Sequence, residues 1–112
     1  MTIWERVKQA LSILSIPVAA NTYTGATLPE AFAVYQLISD PAIQHADDRE
    51  TMTRYRVQVT VYRRGGLADL PNVRGAMLAA GFTRGPSREL PFNRDTRHYS
   101  LAMDYFYTES QE

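Results

Sequence analysis

Thr51-Met52-Thr53-Arg54-Tyr55-Arg56-Val57-Gln58-Val59-Thr60-Val61-Tyr62-Arg63 changes character at every second residue. Tyr55, Val57, Val59 and Val61 fall on one side, and Arg54, Arg56, Gln58 and Thr60 on the other. A period of two over this length predicts a long β-strand, because successive side chains of a pleated backbone point to opposite faces. One face packs on a core; the other meets solvent or a partner. Such a strand needs neighbours on both edges and a cover for its apolar side.

Towards the C-terminus, Gly65-Gly66 breaks the strand. Leu67 to Ala80 is predicted as a helix, with Leu70, Val73, Met77 and Ala80 as its apolar stripe. Pro71 is tolerable only in the first turn, and Gly81 is placed to end the helix in a left-handed conformation. Phe82 begins a short strand. The stretch from Gly85 to Asp95, with Pro86, Pro91 and Asn93, reads as a loop. Thr96 to Thr108 alternates again: Tyr99, Leu101, Met103, Tyr105 and Tyr107 share one face, and His98, Ser100, Ala102, Asp104 and Phe106 the other. Glu109 to Glu112 is a polar tail.

Towards the N-terminus, Asp40 to Glu50 is polar and contains Pro41, and is predicted as an exposed connection. Glu30 to Ser39 is rich in β-formers with apolar residues on both faces, as in a strand covered on both sides. Thr24 to Pro29 is a turn, and Val18 to Tyr23 a short strand. Thr2 to Leu14 is an amphipathic helix whose Ile3, Val7, Ala10, Leu11 and Leu14 make one face. Thr2-x-x-Glu5 has the form of a capping box, and Pro17 forbids continuation. The expected fold is therefore one α+β domain over residues 1–112. It has a mostly antiparallel sheet of four to five strands, two helices on one face, and the order α-β-β-β-α-β-β.

The composition is ordinary for a globular chain: 45% hydrophobic and 21% charged residues among 112. Twelve basic residues balance twelve acidic ones, so the basic excess of a phosphate-neutralising surface is missing and no specific nucleic-acid binding is expected. With no cysteine, disulfides, thiolate metal sites and a cysteine nucleophile are ruled out. The first residues lack the apolar run of a secretory signal, and no stretch approaches the ~20 apolar residues that span a bilayer. Synthesis in the cytoplasm is expected, followed by residence there or departure as part of something larger.

Three groups of residues could carry chemistry. His45, Asp47 and Asp48 could form a metal site or a general base, but a polar loop converges ligands poorly, and an aspartate capping a turn explains them as well. His98 and Asp104 share a face of the last strand, yet six residues at ~3.4 Å each put them about 20 Å apart, too far to share a proton or an ion. Arg54, Arg56, Arg63 and Arg64, with Arg94 and Arg97, either contact an acidic partner surface or decorate a solvated sheet face. Seven tyrosines favour a partner surface, since Tyr and Arg are enriched in interfaces, although tyrosine is also a good strand former. No phosphate loop, nucleophile elbow or His-x-x-x-His pair is present, so no enzyme activity and no cofactor are expected.

The order of short motifs adds a resemblance. A helix ends in Leu14-Ser15-Ile16-Pro17-Val18, and a Pro-containing loop and the aromatic strand Phe32-Ala33-Val34-Tyr35 follow. Then come Ala46-Asp47-Asp48, the strand Tyr55 to Tyr62, a helix ending Ala80-Gly81-Phe82, and Arg97-His98-Tyr99-Ser100-Leu101. From Trp4 to Tyr107 this resembles the small tail-completion and tail-terminator proteins of long-tailed bacteriophages and prophages. The resemblance implies a non-enzymatic virion protein at the head–tail junction, assembled in the host cytoplasm. It caps the tail tube as a ring, typically of six copies, and presents a docking surface to the head-connector protein. A ring needs two different, complementary patches on each copy. The expected patches are the outer face of the long strand (Arg54, Arg56, Gln58) and the two long loops (Asp47, Asp48, Arg94, Arg97). A stand-alone α+β module that binds a peptide, nucleic acid or small ligand is the alternative, and it predicts a preformed pocket or a continuous basic groove.

Overall fold

The structure is a computed structural model. It describes residues 2–21, 28–46, 49–68 and 70–110, with the backbone alone over 39–46, 49–53 and 109–110. The elements are α1 (Ile3–Leu11), β1 (Val18–Ala20), β2 (Ala31–Ala46), β3 (Arg49–Arg63), α2 (Val73–Ala79), β4 (Thr83–Asn93) and β5 (His98–Ser110). The five strands form one sheet in the order β1-β2-β3-β5-β4. β1 runs parallel to β2, and every other pair is antiparallel. The expected α+β class, element order and mostly antiparallel sheet are those observed. Because β5 inserts between β3 and β4, the β3-α2-β4 passage is a split crossover.

The alternation in β3 sets the two faces of the sheet. Val57, Val59 and Val61 are buried together with Ala33 and Tyr35 of β2 and Tyr105 of β5. Val7, Ala10 and Leu11 of α1 and Val73 and Met77 of α2 close the same core, so both helices cover this one face. The capping box of α1 is formed as predicted: Thr2 Oγ1 accepts from Glu5 N at 3.1 Å, and Thr2 N donates to Glu5 Oε1 at 2.7 Å. Hydrogen bonding from the Thr2 backbone N–H, the larger cause, and from the Thr2 side chain holds the Glu5 carboxyl below its ordinary pKa. At the other end of the core, Gly81 takes φ 97°. Phe82 N donates to Met77 O and Gly81 N to Leu78 O at 3.0 and 3.1 Å. This is the left-handed helix stop expected at that glycine.

Three expected boundaries are corrected. Residues 40–46 and 49–50 are strand rather than loop: β2 continues to Ala46 and pairs with β3 from Ala42↔Arg54 to Ala46↔Arg49. Likewise 85–95 is mostly strand, since β4 runs from Thr83 to Asn93. The misleading signal was the same in both places, namely proline. Each proline falls at a break in the ladder where its strand has an open outer edge: Pro41 of β2, past the β1 pairing, between Ser39 and Ala42, and Pro86 and Pro91 of β4 between Arg84 and Ser87 and between Leu90 and Asn93. A missing N–H is tolerated there because no ladder bond is lost. The third correction concerns α2, which starts at Val73 rather than Leu67. Asn72 caps it by accepting from Gly75 N at 3.0 Å, so Pro71 lies just outside. The short strand expected from Val18 to Tyr23 ends at Ala20, and part of the expected Thr24–Pro29 turn lies outside the described residues.

Candidate functional site

The face of the sheet opposite the helices carries the polar half of the alternation. On it lie Arg54, Arg56, Gln58, Thr60 and Tyr62 of β3 and His98, Ser100, Ala102, Asp104 and Phe106 of β5. Register brings them together: Gln58 stands opposite Asp104, Thr60 opposite Ala102, and Arg56 opposite Phe106. This face is not simply solvated. Thr60, His98, Ser100, Ala102 and Asp104 are all buried.

Its centre is a charge cluster. Arg56 Nε donates to Asp104 Oδ2 at 2.9 Å, and its Nη2 donates to the same oxygen. Gln58 Nε2 donates to Asp104 Oδ1 at 3.2 Å. Both oxygens of the buried carboxylate are therefore satisfied, as a buried charge requires. The arginine is held from one edge while 43% of its side chain remains exposed. Arg54 and Arg56 also lie over the Phe106 ring, 4.1 and 5.9 Å from its centroid, a favourable placement for a cation on a π-face.

Beside this cluster a cleft of about 330 Å³ is lined by Arg56, Gln58, Ala102 and Asp104 and by Pro86, Ser87 and Arg88 of β4. The wall contributed by β4 exists because Gly85 and Pro86 bulge out of the ladder between Arg84 and Ser87. Gly85 is needed for that approach. A Cβ on it would meet Phe106 Cε2 at 2.6 Å, the Asp104 carbonyl oxygen at 3.0 Å and Asp104 Cβ at 3.2 Å. The ring can turn away but the backbone oxygen cannot. Gly85→Ala is expected to destabilise the protein by roughly 1–2 kcal/mol through overpacking, read as a lower urea midpoint. An unchanged midpoint would mean that the bulge relaxes freely.

At the other end of the same face, Phe32 and Tyr62 stack at 4.7 Å and His98 stands edge-on to both. His98 Nε2–H donates to Pro29 O at 2.9 Å, tying the segment before β2 to the start of β5. Its Nδ1 is buried with no hydrogen-bond partner among the described residues. His98 and Asp104 thus have separate partners and do not meet.

Of the residues singled out from sequence, Arg54, Arg56 and Gln58 are brought together. Arg94 and Arg97 are exposed in the β4–β5 turn, at the opposite end of β5. Arg97 adopts φ 62° and donates from its N to Asn93 O at 2.7 Å. Asp47 and Asp48 lie outside the described residues, as does the side chain of His45, so the metal or base reading of that trio falls there too. Among the described residues no group of three or more His, Asp or Glu could hold a metal ion. Two participants were missed. Asp104 has no partner within reach on its own strand, and Arg88 lies in the stretch whose prolines read as a loop. The signal for the first was present: two strands that alternate in phase must pair, and the only acid on the polar face of β5 then faces the Arg56–Gln58 pair of β3. No family model matches the chain, and no curated protein matches it in sequence.

Proposed function

We propose that the chain is a structural subunit that assembles with copies of itself into a ring. On the resemblance of its motif order, the ring is the tail-completion ring joining a phage tail tube to the head connector, first in the host cytoplasm and then in the virion. The observation that carries this reading is an arm. The buried core gathers around Ala33, Tyr35, Val57, Val59, Val61 and Tyr105, under the two helices. The three-stranded ladder goes on to Ala46, Arg49 and Ser110. The molecule measures 51 × 25 × 25 Å, with a radius of gyration of 15.3 Å, against about 13 Å for a compact domain of this length. Ordering an extended ribbon costs chain entropy, and contacts with other chains are the natural offset. Outside β2, β1 pairs only with Ala33–Tyr35, so from Gln36 to Ala46 no described strand occupies the outer edge. An open main-chain edge is a template for another chain.

Electron microscopy of the purified protein, alone and after addition to purified tail tubes, tests the reading. Rings of uniform size in either preparation are the expected result. Monomers in both, with no density added to the tube ends, would sink it. The stand-alone binding module gains from the cleft beside Arg56, and calorimetric titration with small carboxylates and phosphate addresses it directly.

A further inference from the structure

The zero net charge conceals a partition along the chain. Residues 40–50 hold four carboxylates against one arginine, whereas residues 54–104 hold nine arginines against four carboxylates. Strand register turns this into a spatial statement. Glu50 belongs to the far part of the β2–β3 ladder, beyond Ala42↔Arg54, whereas Asp40 lies at the foot of that part, between Ser39↔Arg56 and Ala42↔Arg54; Glu109 is registered against Thr53 in the far part. Arg56 and Arg88 lie further down the sheet, level with Phe106 and Ala102. The arm is the acidic end of the molecule and the cleft lies in its basic part.

The cleft itself lacks one negative charge. Asp104 neutralises Arg56, while Arg88 forms no ion pair among the described residues. The lining therefore carries two guanidinium groups and one carboxylate. Arg56 is held by Asp104 with part of its side chain still open to solvent, so it is preorganised to accept a second anionic partner. A surplus of one positive charge suits a single carboxylate better than a doubly charged phosphate. We propose that the cleft formed by Arg56, Arg88 and the Gly85-Pro86 bulge receives a carboxylate from the acidic arm of a second copy of this chain. The contact joins two different patches, so it propagates head to tail and closes into a ring if the rotation allows. This inference rests on the ring reading and specifies its contact.

Two charge reversals test it: Arg88→Glu in the cleft, and Glu50→Lys with Glu109→Lys in the arm. Both are checked for folding by circular dichroism and thermal unfolding. Sedimentation equilibrium is run at low and high salt. Wild type is expected to self-associate at low salt and to dissociate as salt screens the contact. Each variant alone should associate at least about tenfold more weakly, since like charges now meet. An equimolar mixture should regain association, because each copy then meets a complementary partner. If the arm variant does not fold, Arg88→Gln replaces it, with a loss intermediate between wild type and Arg88→Glu expected. Association of Arg88→Glu equal to that of wild type, or a mixture no more associated than its components, overturns the contact; rings that persist in that variant leave the ring reading standing. Wild type that is monomeric at millimolar concentration and low salt overturns the contact as well. If that monomer also binds free glutamate in the cleft, the site belongs to a small ligand. The ring reading is then decided separately by the tail-tube experiment.

Discussion

Tyr105→Ala is expected to cost the fold about 4 kcal/mol, in the range of large-to-small changes at buried aromatic positions, while Tyr105→Phe is expected to stay within about 1 kcal/mol. The side chain is 1% exposed and sits in the middle of the core cluster, opposite Val57 across the β3–β5 ladder. Truncation to alanine removes the ring from the junction of sheet and helices and leaves a cavity there. The hydroxyl is a different matter. Its hydrogen bond runs to Met103 Sδ at 3.6 Å, and a thioether is a weak acceptor, so its removal gives up little. Burial raises the Tyr105 pKa above its ordinary value of 10.0, with Arg74 and Arg84 opposing in part, and burial raises that of Tyr35 as well. For an acid whose folded pKa is raised, the stabilisation is complete below the unfolded pKa and is lost as pH rises through the folded one. Wild type should therefore lose stability above pH 10, and Tyr105→Phe should lose less, keeping only the share due to Tyr35. Urea titrations at pH 8 and above 10 measure both effects. A loss of more than about 2 kcal/mol for the phenylalanine variant at pH 8 would mean that the hydroxyl has a stronger partner than the sulfur.

The parts of this molecule that could be read from sequence are those in which side-chain period and burial agree. Val57, Val59 and Val61 alternate with polar residues and are buried as a set. Val7 and Leu11, and Val73 and Met77, recur at four-residue spacing and form the buried stripes of the two helices. Thr2 and Glu5 form the cap their spacing announced. Reading failed where a residue type has two meanings. Pro41, Pro86 and Pro91 looked like loop formers, but on an open strand edge the missing N–H faces no partner, and strand order cannot be known before the sheet is assembled. The charge cluster failed for a related reason. A strand taken by itself gives Arg56 and Gln58 a face but no neighbour, and Asp104 a face but no counter-charge. Only the β3–β5 register, a contact across 46–48 residues of chain, makes them one object. Arg88 was hidden twice, by the loop assignment of its strand and by the bulge that sets its strand against the cleft.

Arg56→Ala is expected to cost about 2 kcal/mol, and Asp104→Asn about half of that, although the two residues share one ion pair. The asymmetry follows from exposure. The Asp104 side chain is 7% exposed and that of Arg56 43%. Removing the arginine leaves a carboxylate in a site that water reaches poorly, with only the Gln58 amide to solvate it. Breaking a fully buried pair in this way costs roughly 3–5 kcal/mol, and the open side of Arg56 justifies the discount. Removing the acid leaves a guanidinium that can turn into solvent or settle on the Phe106 ring, and asparagine still accepts a bond from Gln58. Arg56→Lys should fall between wild type and alanine: it keeps the charge but cannot present Nε and Nη2 together to one oxygen. Urea midpoints for the three single variants and for the Arg56→Ala/Asp104→Asn double variant complete a cycle, and a double variant less destabilised than Arg56→Ala alone is the expected signature. Asp104→Asn proving the more damaging change would show that the arginine, rather than the acid, is the group that cannot reach water. Stability and association measured together separate the cleft's two arginines by task. Arg56 is built into the fold and should lower stability and association together. Arg88, exposed and outside any described ion pair, should lower association with stability unchanged. A dissociation of the two effects at Arg88 alone would mark the cleft as a surface made for another chain.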